Sequence, residues 1–177
     1  MPVMVALLRG VNVGGKTTLP MAKLRQVATD LGYEDVATYI QSGNLVLRTS
    51  DAASKVAKDL AAAIAGLGGV RPAVMVRTRA QLSKTVKANP FLRRGEDAAH
   101  CHVTFMEKAA SGAISSLELD TYAPEEAVAS GKDLYLLLPG GVGRSKLAGD
   151  LAKNKGAIGT TRNWRTVTKL LEMAEAI

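Results

Sequence analysis

Cysteine is almost absent: Cys101 is the only one in 177 residues. No internal disulfide can form, and a thiolate zinc site has no second sulfur to draw on. Aromatic residues are scarce as well, with one Trp, four Tyr and two Phe, which leaves little on which the bases of a single strand could stack. Long apolar runs are also missing. The stretch from Val3 to Leu8 is cut off by Arg9, too soon for a secretory core, and nothing approaches the roughly 18 residues needed to cross a bilayer. A cytoplasmic protein with no membrane among its partners is the expectation. The two histidines, His100 and His102, flank Cys101. They share one face of a predicted strand but find no third ligand, so neither a metal nor a cofactor is expected.

Acidic residues are outnumbered, 16 against 23 Lys and Arg, for a formal net charge of +7. The excess is concentrated near the C-terminus, where Arg144, Lys146, Lys153, Lys155, Arg162, Arg165 and Lys169 are balanced by Asp150 alone. Such a stripe suits an anionic partner and equally suits a solvated face. With 47% apolar and 22% charged residues, the chain has the composition of a folded domain with one core or two smaller ones.

The order of elements is legible in hydrophobic periodicity. Val3 to Val11 reads as a buried strand, and Met21, Leu24, Val27, Ala28 and Leu31 fall at helical spacing until Gly32. Residues 36–41 and 44–49 alternate on either side of Ser42-Gly43, which predicts a hairpin with a two-residue turn. A helix over 52–65 and a strand over 72–78 complete a β-α-β-β-α-β series, the split βαβ or ferredoxin-like α-β plait. The remainder repeats the theme with a helix over 80–88, a strand over 100–106, a weak helix over 109–117 and a hairpin around Gly131. Helices over 145–152 and 164–177 follow. The expected fold is α+β, with two ferredoxin-like subdomains, 1–78 and 79–177, built on antiparallel sheets, the second ending in a C-terminal helix.

Residues Gly10 to Thr17 spell G-x-x-x-x-G-K-[ST], the phosphate-loop pattern. A working phosphate loop places its Lys at a helix N-terminus and borrows a magnesium-binding acid from a neighbouring strand. Here Pro20 pushes the helix start to about residue 19 or 20, with Thr18 as the expected cap. The following strands form a tight hairpin, and no apolar strand ends in Asp. The match to the nucleotide-hydrolase pattern is therefore read as coincidental. What survives is a glycine-rich loop in which Asn12, Gly14 and Gly15 permit close approach to the backbone and Arg9 and Lys16 attract an anion. A tight turn with solvated bases explains the same residues. A second loop of this type, "PGGVGRSK" (139–146), follows the strand over 132–138.

Three stretches, "ALLRGVNVGGKTTLPMAKLR" (6–25), "TYIQSGNLVL" (38–47) and "GTTRNWRTVTKLLEM" (159–173), resemble the signature segments of the bacterial family catalogued as domain of unknown function 1697. The resemblance implies two ferredoxin-like subdomains and no assured activity. The residue after the family's Gly-Gly-Lys need not be Ser or Thr, so the hydroxyl of Thr17 is incidental to it. Carried onto this sequence, it marks polar residues and glycines where a core would need apolar ones. The ligand-binding candidates are Arg9, Asn12, Gly14, Gly15, Lys16, Gln41, Ser42, Asn44, Arg162 and Asn163. Asn163 also reads as the N-cap of the last helix, and Gln41 and Asn44 as turn-closing residues. Ser42 has no His-Asp partnership to make it a nucleophile.

Three readings stand. The first is a module that binds an anion or nucleic acid through the Gly-Lys loop and the basic C-terminal segment. The second is a small enzyme or a protein that holds a nucleotide or phosphorylated metabolite. The third is a structural homo-oligomer. A phosphate-bearing ligand or nucleic acid is the expected partner, and whether a reaction is catalysed and how many copies assemble are left open.

Overall fold

The computed structural model describes residues 1–15 and 18–177. The chain divides into two units, one comprising Met1–Lys84 together with Lys169–Ile177 and the other Thr85–Thr168.

In the first unit β1 (Val3–Leu8), α1 (Met21–Asp30), β2 (Glu34–Thr38), β3 (Asn44–Arg48), α2 (Ala53–Ala65) and β4 (Val74–Thr78) alternate as the periodicity predicts. The sheet runs β2-β3-β1-β4, and β1 is antiparallel to both its neighbours, with Leu7 opposite Asn44 and Leu8 opposite Val74. Every residue of β1 is buried, as a central strand covered on both faces demands. Met21, Leu24, Val27 and Ala28 of α1 and Val56, Leu60 and Ile64 of α2 close over Met4, Ala6, Leu8, Leu45, Leu47 and Val76. Burial of the Val, Leu, Ile and Met side chains among them stabilises the unit by about 1.5–3 kcal/mol each relative to exposure.

After α3 (Arg79–Lys87) and α4 (Pro90–Arg93), the second unit contains β5 (Cys101–Met106), α5 (Ser111–Ile114), β6 (Glu126–Ser130), β7 (Asp133–Leu137), α6 (Lys146–Lys153) and β8 (Gly159–Asn163). Helix α7 (Trp164–Glu175) follows directly. The sheet order β6-β7-β5-β8 repeats that of the first unit, and the registers coincide. Val5 faces Arg77 as Val103 faces Arg162, and Leu7 faces Asn44 as Phe105 faces Asp133. The last residue of each central strand donates its N–H to the following hairpin turn, Leu8 to Gly43 O and Met106 to Lys132 O. The next residue donates to the chain entering the fourth strand, Arg9 to Ala73 O and Glu107 to Ile158 O. The similarity of pattern seen in the sequence is thus a repeat of topology and register.

Three local expectations are corrected. The β2-β3 connection is five residues, 39–43, because Ile40 and Gly43 adopt φ of +47° and +82° and the chain closes through Tyr39 N–H to Asn44 O. Helix α1 begins at Met21 with Pro20 in the capping position and no side-chain cap, so Thr18 does not serve. Strand β8, hidden in a polar stretch, was not anticipated.

Candidate functional site

Connections at one end of the first unit's sheet are where the chain exceeds what the fold requires. Strand β1 ends there, β2 turns into β3 there, and β4 begins there, so the described residues of the connections, 9–15 and 18–20, 39–43 and 66–73, lie at this end. The second unit supplies an internal control, since its equivalent connections are 107–110, 131–132 and 154–158. Four residues suffice between β5 and α5, where twelve join β1 to α1, and two suffice for the β6-β7 hairpin, where five join β2 to β3.

The longest of these loops is held at its stem. Val11 and Leu19 are buried in the core, and Asn12, at φ +56°, stands between them. Its Nδ2 donates to Leu19 O (2.9 Å) and Gln41 O (2.6 Å), while its Oδ1 accepts from Leu19 N–H (2.7 Å). One amide therefore closes the loop and fastens it to the β2-β3 turn. Asn is suited to this because it tolerates the left-handed region and carries both donor and acceptor. Beyond the stem the crest is open. Val13, Gly14 and Gly15 are exposed, and a Cβ built on Gly10, Gly14 or Gly15 would meet nothing within 4 Å.

The turn is equally determined. Asn44, fully buried, donates from Nδ2 to Tyr39 O (3.0 Å) and Ser42 Oγ (2.9 Å). A Cβ on Gly43 would lie 2.8 Å from Leu8 Cβ, so only glycine allows the turn to seat on β1. Ile40, a β-branched residue at positive φ, is an outlier of the kind that persists only where its surroundings hold it. Asn12 and Asn44 thus build the site, whereas Gln41, exposed, contributes its backbone carbonyl and leaves its amide outward.

Charge at this end is of one sign. Residues 9–20, 39–43 and 66–73 contain no Asp or Glu, while Arg9 and Arg71 are exposed on them. Lys23 and Arg25 are exposed in the first turns of α1, and Arg25 Nη1 donates to Thr38 Oγ1 (2.6 Å) at the end of β2. Among the described residues these four cations form no ion pair. Three acids lie at the opposite end, where Glu34 and Asp35 engage Arg48 at 3.3 and 2.6 Å and Asp51 engages Lys55 at 2.8 Å. At the equivalent end of the second unit, Glu107 stands where Arg9 stands in the first. Lys16, and Thr17 of the phosphate-loop string, lie outside the described residues. That string's requirements are not met around them, since α1 starts four residues past Thr17 and β1 has antiparallel neighbours only.

Arg162 and Asn163 belong to the second unit. Arg162 lies buried on β8 instead of open at the start of α7. Its Nη1 donates to Thr160 Oγ1 (2.6 Å) and Thr161 O (3.1 Å), and loss of water pushes its guanidinium down to about 10. Asn163 Oδ1 accepts from Thr166 N–H at 2.9 Å, an N-cap bond. The basic stripe is broken up in the same way. Lys153 pairs with Asp150 and Lys169 with Glu172, Lys146 lies over the Tyr122 ring, and Arg144, Lys155 and Arg165 remain exposed. His102 is buried with Nδ1 unbonded, and desolvation lowers its pKa. Among the described residues no three His, Cys, Asp or Glu are grouped to hold a metal.

Arg71, Lys23 and Arg25 escaped the sequence reading. Arg71 is distant in sequence from Arg9, and only the ladder bond from Arg9 N–H to Ala73 O brings its segment to the same end. The signal available was the lack of any acid before Asp30 and between Asp59 and Glu96.

Comparison with known proteins agrees with this architecture. A conserved bacterial protein from Streptococcus pneumoniae has a solved structure that superposes with a TM-score of 0.78 at 24% identity, covering 98% of each chain; the likeness is one of fold. No curated protein matches the chain. The family model described as a protein of unknown function, DUF1697, matches residues 1–135, and the chain belongs to that family.

Proposed function

We propose that the protein is a binding module whose first unit takes a phosphate-bearing, polyanionic partner at the end formed by residues 9–15, 18–20, 39–43 and 66–73. The observation that carries this reading is the contrast between equivalent ends. The same topology in the second unit manages with short connections and a Glu where the first has Arg9, so the extra glycine-rich chain and its acid-free cations are not demanded by folding. Arg9, Lys23, Arg25 and Arg71 supply charge that no acid of these connections offsets, and guanidinium groups match phosphate oxygens in geometry as well as sign. The crest that carries Gly14 and Gly15 stands in open space, which suits phosphates displayed on a larger partner better than a small molecule enclosed by walls.

Fluorescence anisotropy of a labelled single-stranded oligonucleotide and of a polyphosphate chain, titrated at increasing salt, tests the reading. Binding at low salt should weaken linearly in log-log form, with a slope of about 3 for four cations on a single strand. Absence of binding to either polyanion at low salt would overturn it.

A further inference from the structure

We infer that the polyanion is the surface of an anionic phospholipid bilayer, onto which the first unit docks by the same end, with three aliphatic side chains entering the headgroup region. The inference rests on the reading above and adds an independent observation. Six large hydrophobic residues are exposed on the described chain, and three of them, Val13 (66%), Ile40 (49%) and Leu67 (43%), lie one on each of the three connections at this end. The other three are Met1, Val128 and Val142, and none falls on the equivalent connections of the second unit. The fold therefore needs neither the extra chain nor its apolar tips.

Ile40 is held outward on a backbone that disfavours β-branched residues, and Val13 follows directly on the Asn12 clamp, which joins its loop to Gln41 beside Ile40. Exposed aliphatic tips contribute nothing to phosphate contacts along a nucleic-acid strand, and they lack the flat rings on which bases stack. A bilayer interface receives both features at once, with apolar tips at the acyl boundary and Arg9, Arg25 and Arg71 at the phosphates. Glu34, Asp35 and Asp51 at the far end of the sheet favour an orientation with this end toward a negative surface. Surface docking needs no spanning segment, and among the described residues no helix is long and apolar enough to cross a membrane. The short apolar runs of the sequence exclude spanning only.

The test is flotation of the full chain with vesicles of phosphatidylcholine alone and of phosphatidylcholine mixed with phosphatidylglycerol, with polyphosphate and an oligonucleotide as soluble competitors. Binding is expected to the mixed vesicles only, falling about fivefold for each of the charge-removing variants Arg9→Gln and Arg71→Gln. The triple variant Val13→Ser, Ile40→Ser, Leu67→Ser should lose the vesicles and keep polyphosphate binding. Because Cys101 is buried, Val13→Cys can be labelled selectively with a polarity-sensitive fluorophore, whose emission should shift to the blue on mixed vesicles and stay unchanged on polyphosphate. A triple variant that binds vesicles like the parent, or a label that does not shift, overturns the inference while polyphosphate binding leaves the proposed function standing. If the triple variant loses the oligonucleotide as well as the vesicles, the tips serve nucleic acid and the lipid assignment fails. If the parent binds neither vesicles nor polyphosphate, both readings fall.

Discussion

Replacing Asn12 by alanine removes three hydrogen bonds at once, two donated to Leu19 O and Gln41 O and one accepted from Leu19 N–H. Each is between neutral groups and worth roughly 0.5–1.5 kcal/mol net. The site is only partly buried, so water recovers part of the loss and about 2 kcal/mol is the expected sum. Alanine must also adopt the φ of +56° that Asn12 holds, for about 1 kcal/mol more. The expected total is about 3 kcal/mol. Asn12→Gly separates the two contributions, because glycine takes the backbone angle freely and should cost about 2 kcal/mol. Urea denaturation followed by circular dichroism gives the global figure, and hydrogen exchange at the Leu19 amide gives the local one, since that N–H is freed in both variants. If Leu19 keeps its protection in Asn12→Ala, the clamp does not hold the loop as described, and if Ala and Gly are equally destabilising, the backbone angle at residue 12 adds no cost.

Gly43→Ala would place a Cβ 2.8 Å from Leu8 Cβ at φ +82°; strain and overpacking together predict about 2–4 kcal/mol of destabilisation and faster exchange of the Leu8 amide, which bonds Gly43 O. For His102, burial lowers the folded-state pKa below 6.5, so between that value and 6.5 the unfolded chain takes up a proton that the folded chain refuses. Stability is therefore present above pH 6.5 and lost as pH falls below it, and His102→Leu should flatten the acid side of a stability-against-pH curve measured by Trp164 fluorescence. Tyr135→Phe leaves Thr85 O without the hydroxyl that donates to it at 2.8 Å in a buried setting; about 1–2 kcal/mol of stability should be lost, as read by the urea midpoint.

Periodicity carried the α+β class, the strand order and both helical faces of the first unit, because Val3–Leu8 and the 3.6-residue spacing of α1 and α2 are governed by burial. It failed where tertiary bonds overrule local preference. Ile40 adopts a left-handed backbone that no propensity would assign to isoleucine, and this turned an expected two-residue turn into five. Strand β8 carries Thr160, Thr161 and Arg162, a polar run that reads as loop until its pairing with β5 is seen. The same blindness placed Arg162 on the surface. In the candidate site the loop and turn residues were visible as polar groups and glycines. Their division into builders, Asn12 and Asn44, and outward groups, Arg9 and Gln41, required the hydrogen bonds. Arg71 required the sheet.

On the function proposed above, one end of the first unit, and not its counterpart in the second, takes the polyanion. The direct measurement is the affinity for a polyphosphate chain at fixed low salt, compared between Arg9→Glu with Arg71→Glu and the control pair Lys132→Glu with Lys155→Glu at the equivalent end of the second unit. Both pairs change the net charge equally. Binding should weaken at least tenfold for the first pair, about 1.4 kcal/mol or more, and change little for the control. Equal losses in the two pairs would show attraction by net charge alone and refute a dedicated polyanion-binding end.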